Sequence, residues 1–94
     1  MVEVFKTNVI DTVDAQKIID EIHVNYAHYK ANFALDDCDR ILRIKGLDGF
    51  VTPAEIIAIV AANGFAATIL PDEIHPVLTL IFIQAFENYY NVYN

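Results

Sequence analysis

An α+β fold of the ferredoxin-like βαββαβ kind follows from three observations on this 94-residue chain. Apolar alternation of period two marks four short runs, and apolar spacing near 3.6 marks two longer ones. These runs come in the order strand, helix, strand, strand, helix, strand. Right-handed crossovers fold that order into two helices on one face of a four-stranded sheet. The domain is expected over residues 1–71, and residues 72–94 are an extension added to it.

Residues 2–9 alternate and carry β-branched and aromatic side chains, which predicts a first strand. Asp11 or Thr12 supplies the N-cap of a helix, with Asp14 favourably placed in its first turn. Ala15, Ile18, Ile19 and Ile22 share one face of that helix, which is expected to end at residues 23–25. After a connection at 26–29, residues 30–35 set Ala31, Phe33 and Leu35 on one side of a second strand. The polar run Asp36-Asp37-Cys38-Asp39 suits a hairpin turn, and residues 40–45 form the returning strand.

Gly46 and Gly49 mark a loop. Thr52-Pro53-Ala54-Glu55 reads as a capping box with proline at the first helical position, where its missing N–H does no harm. The second helix is expected to run to Asn63, with Gly64 as a left-handed stop. Residues 65–70 complete the sheet. In the extension, Val77-Leu78-Thr79-Leu80-Ile81-Phe82-Ile83 is apolar on nearly every side. A helix over 76–90 is the first reading of it and a fifth strand over 77–83 the alternative, because a short apolar run does not separate the two.

Composition narrows the function. Thirteen acidic residues against six basic ones give a net charge of −7. Nucleic-acid binding depends on clustered Lys and Arg that neutralise phosphates, so no nucleic acid is expected, and no anionic membrane surface. A single cysteine forms no internal disulfide, and the longest apolar run falls short of the roughly 20 residues that span a bilayer. The first residues lack the basic and apolar regions of a leader. The expected compartment is a cytoplasm.

The run Ile56-Ile57-Ala58-Ile59-Val60-Ala61-Ala62-Asn63-Gly64-Phe65-Ala66-Ala67-Thr68-Ile69 resembles the closing helix, Gly-aromatic step and last strand of heavy-metal-associated domains. The resemblance covers roughly residues 1–71 and implies the same sandwich. That family binds soft metals through a Cys-x-x-Cys pair on the first strand-to-helix loop. Here Lys6-Thr7-Asn8-Val9-Ile10-Asp11-Thr12 fills that region without a thiol or an imidazole. Metal trafficking is therefore not implied. The chain also resembles small bacterial proteins of this fold, a resemblance that implies no activity.

Three groups of residues are candidates for chemistry. Asp36, Asp37, Cys38 and Asp39 place three carboxylates and a thiol together, a weak metal site. The carboxylates oppose thiolate formation, and an oxygen-ligand calcium loop needs a longer arrangement with a glycine kink. A solvated hairpin turn is the simpler reading. His23, His28 and His75 show no i, i+4 pairing; a favourable contact with the helix dipole accounts for His23. No serine occurs, and no glycine-rich loop suits phosphate, so nucleophilic catalysis has no support. His28, Tyr29 or Asp36 serve as acid or base only by fold analogy.

The extension carries the most functional weight. Burial stabilises apolar surface by about 25 cal/mol per Å², so its run is expected to cover the open sheet face of its own subunit or to meet another copy. A homo-oligomer, a dimer above all, is the favoured arrangement. The interface residues are then Val77, Leu80, Ile81, Phe82, Ile83, Phe86 and Tyr90. The function expected is a non-catalytic interaction or regulatory module with no cofactor. A divergent metal- or small-ligand-binding protein and a small dimeric enzyme are the alternatives.

Overall fold

The computed structural model describes residues 1–70, which hold four strands and two helices. These are β1 (Val2–Thr7), α1 (Thr12–Asn25), β2 (Tyr29–Ala34), β3 (Ile41–Gly46), α2 (Pro53–Ala62) and β4 (Ala67–Ile69). The strands form one sheet in the order β2-β3-β1-β4, with every neighbouring pair antiparallel. The protein is thus α+β, as the alternating and helical runs predicted. No helix of the described residues is long and apolar enough to cross a membrane.

Strand register sorts the side chains into two faces, because successive residues point to opposite sides. Phe5 stands opposite Leu42, and Leu42 opposite Phe33; Ile44 stands opposite Ala31. This face packs against Ile18 and Ile22 of α1 and Ile56 and Val60 of α2, all fully buried. Each such side chain contributes about 1.5–3 kcal/mol when withdrawn from water. Val2, Val4, Lys6, Lys30, Asn32, Ile41, Arg43 and Lys45 fall on the opposite face.

Local bonds set where the helices begin and end. The Asp11 carboxylate accepts the Val13 N–H at 2.7 Å, so Asp11 is the N-cap of α1. At the far end, Asn63 Nδ2 donates to Glu21 Oε2 at 3.1 Å and ties the C-terminal end of α2 to α1. Gly64 takes φ +87, the left-handed stop expected from its position.

The capping box at α2 is assembled differently from the sequence reading. The Thr52 side chain makes no capping bond. Instead the buried Tyr29 hydroxyl accepts the Thr52 N–H at 2.8 Å and donates to Glu55 Oε1 at 2.7 Å. A phenol from β2 thus stands between the two residues that were expected to bond each other. It links the edge strand to the start of the second helix across 23–26 residues of chain.

Boundaries shift slightly from expectation. β1 stops at Thr7 rather than residue 9, and β4 spans three residues rather than 65–70. The shortened β4 still has a continuing bond, since the Leu70 N–H donates to the Val4 carbonyl at 2.9 Å. The expected helix over 76–90, its alternative strand and the interface residues from Val77 to Tyr90 lie outside the described residues.

Tyr29→Phe should lower stability by about 1–3 kcal/mol, because it strands the Thr52 N–H and the Glu55 carboxylate together. Urea denaturation would show this as a lower midpoint at unchanged slope; an unchanged midpoint would contradict the linking role.

Candidate functional site

The loop joining β1 to α1, where the resembled family keeps its thiols, is occupied by structural bonds. Thr7 Oγ1 donates to the Arg40 carbonyl at 2.6 Å and accepts the Val9 N–H at 3.2 Å. Asn8 Oδ1 accepts the Ala66 N–H at 2.8 Å. Two short polar residues therefore clamp this loop to the β2–β3 hairpin and to the connection before β4. The loop is thus braced at both of its sides.

The hairpin itself brings Asp37, Cys38 and Asp39 together, with one potential ligand atom from each within 4.8 Å of the others. Asp36 lies in the same turn. Asp37 Oδ1 accepts the Asp39 N–H at 2.9 Å, and Asp39 pairs with Lys6 at 3.6 Å. Arg40 closes the hairpin with φ +47, its guanidinium donating to the Leu35 carbonyl. Asp37 and Asp39 are engaged in holding the turn, and Cys38 is exposed.

The proposed acid and base residues are separated. His28 precedes β2 and Asp36 follows it, so the length of the strand, roughly 17–20 Å, lies between them. Tyr29 is committed to Thr52 and Glu55. His28 stacks with Tyr29 at 4.2 Å and meets Tyr26 edge-on at 6.1 Å between ring centroids. The Tyr26 phenol ionises above its ordinary range, through partial burial first and then the neighbouring Glu55 carboxylate. It therefore stays protonated at neutral pH.

His23 corrects the dipole reading. Its Nε2 accepts the Ala31 N–H at 3.0 Å, which requires a neutral ring. Burial lowers its pKa from the usual value; Asp20 opposes that shift and Lys30 adds to it. The ring covers a donor on β2, an edge strand whose outward N–H groups otherwise invite pairing.

Sequence reasoning missed an apolar pole at the end of the sheet where β1 and β2 begin and β3 ends. The Gly46 N–H donates to the Met1 carbonyl at 2.9 Å, and the Leu47 N–H to the His28 carbonyl at 2.8 Å. These bonds fix the β3–α2 loop against the N-terminus and the aromatic group. Met1, Leu47 and Phe50 are all exposed there, Phe50 to 80%. A Cβ on Gly46 would sit 2.6 Å from the Phe50 carbonyl oxygen, so the loop folds closely over this glycine. The only sequence signal was Gly46-Leu47-Asp48-Gly49-Phe50, two large apolar residues inside a glycine-marked loop. A second exposed apolar pair, Val13 and Val24, lies on α1, which also carries the Gln16–Asp20 hydrogen bond.

In comparison with known proteins, no family model, curated protein or solved structure matches this chain.

Two measurements test this description. Because the folded-state pKa of His23 is depressed, its contribution is complete above the unfolded value near 6.5 and is lost as pH falls below that value. Thermal midpoints recorded from pH 8 to pH 5 should fall across that window, and His23→Gln should flatten the difference. Gly46→Ala should cost about 1–3 kcal/mol by forcing the loop outward, read as a lower denaturation midpoint.

Proposed function

We propose that this chain is a small non-catalytic interaction module that self-associates, built as a ferredoxin-like βαββαβ sandwich. The observation that carries the reading is the apolar pole. Bulky side chains on a loop held by backbone bonds at Gly46 and Leu47 are costly in water and lose little freedom on docking. Phe50 is the anchor: a large aromatic on a fixed loop is the type of residue on which binding energy concentrates. The strand order β2-β3-β1-β4 supports the sandwich, because that order sets the first and third strands side by side in the centre.

The polar chemistry supports the same reading. Thr7, His23, Tyr29, Asp37 and Glu55 each hold a structural hydrogen bond, and those bonds tie separate segments together or close a turn. Removing them for acid–base work would loosen the framework that positions them. Val77, Leu80, Ile81, Phe82, Ile83, Phe86 and Tyr90, expected from sequence as interface or sheet-covering contacts, lie outside the described residues, and the self-association proposed here rests on the pole alone. A cytoplasmic setting fits a chain with one exposed, unpaired cysteine.

Light scattering over a concentration series should give a mass that rises from monomer to dimer. Phe50→Ser should weaken that association by about 30-fold, equivalent to the roughly 2 kcal/mol of an interface hot spot, with thermal stability nearly unchanged. A strict monomer at millimolar concentration would remove the self-association reading.

A further inference from the structure

The sheet face that carries neither helix is unlike the rest of the molecule. In a chain of net charge −7, four of its six basic residues fall there: Lys6, Lys30, Arg43 and Lys45. Lys30 and Lys45 stand directly opposite one another, and Arg43 is two residues along β3. Among these cations stand Val2 and Val4 on β1, Ile41 on β3 and Asn32 on β2.

Burial on this face has no source in the two helices. Ile41 is 5% exposed and Asn32 is 6% exposed, while α1 and α2 pack on the other side against Phe5, Leu42 and Ile44. Asn32 is the sharper observation. Both polar atoms of its amide are buried, and neither has a hydrogen-bond partner among the described residues. A buried amide without a partner costs about 1–3 kcal/mol, so its position calls for an occupant that brings polar groups as well as apolar ones.

We propose that this face is the docking surface for the chain's own residues 71–94, held on the sheet of the same molecule. The segment has the required composition: a seven-residue apolar run at 77–83, acidic Asp72, Glu73 and Glu87, and no lysine or arginine. Its acids match the cations of the face, and its Thr79, Gln84 and Asn88 are available to the Asn32 amide. It also starts in the right place. The Leu70 N–H donates to the Val4 carbonyl, so the described residues end beside β1. Twenty-four residues reach about 36 Å even when helical, against roughly 15–20 Å across four strands. No second copy is needed to supply the cover.

The inference is independent of self-association through the apolar pole. Carbodiimide treatment of the full chain joins carboxylates to amines in direct contact. It should be applied to an equal mixture of unlabelled and ¹⁵N-labelled protein, followed by mass spectrometry of the digested products. Lys30 or Lys45 should be joined to Asp72, Glu73 or Glu87 within single-isotope peptide pairs. Mixed-isotope pairs at those positions would overturn the proposal in favour of a second copy. Lysine links that reach only residues 1–70, or none, would overturn it outright. Failure of the pole appears separately, as a concentration-independent monomer mass with the same intramolecular links.

Discussion

The framework depends on one phenol. Tyr29 lies at the first position of an edge strand, yet its hydroxyl closes the start of α2 by taking the Thr52 N–H and giving its proton to Glu55. A helix N-terminus leaves backbone donors unsatisfied, and here the Thr52 N–H is met by the Tyr29 hydroxyl rather than by the Glu55 carboxylate of a capping box. The same residue anchors the aromatic group with Tyr26 and His28. Strand pairing, helix entry and the geometry of the apolar pole therefore share a single buried side chain.

The opposite end of the sheet is held by smaller groups. Thr7 and Asn8 each contribute a side-chain oxygen, and both oxygens reach the backbone of other loops. The β1–α1 turn, the β2–β3 hairpin and the entry to β4 are thereby fastened together. The bonds at Thr7 and Asn8 give the β1–α1 loop a structural role. Polar residues at this end serve cohesion, and Met1, Leu47 and Phe50 are exposed at the other.

The two faces of the sheet divide the remaining work. Phe5, Leu42, Ile44 and Phe33 form a dry layer with the helices, where close packing gives the fold its stability. The reverse face mixes valines and Ile41 with four cations and a buried amide, a composition suited to an acidic, partly apolar strip of chain. A four-stranded sheet with both helices on one side leaves such a face by geometry. What covers it determines how much of the surface is left for other molecules.

Period and punctuation alone determined the order of elements, the helix stop at Gly64, a cap at Asp11 or Thr12 and the hairpin between Asp36 and Asp39, since each rests on contacts within a few residues. Alternation also determined which strand residues share a face, because pleating fixes that relation without reference to partners. Tertiary structure decided the rest. It set Tyr29 between Thr52 and Glu55, turned His23 from a dipole contact into a neutral acceptor for Ala31, and separated His28 from Asp36. It also placed Met1, Leu47 and Phe50 at one pole, although they are far apart or merely loop residues in the chain. Such contacts join positions from 8 to 45 residues apart, and local sequence carries no signal of which distant group a side chain will meet.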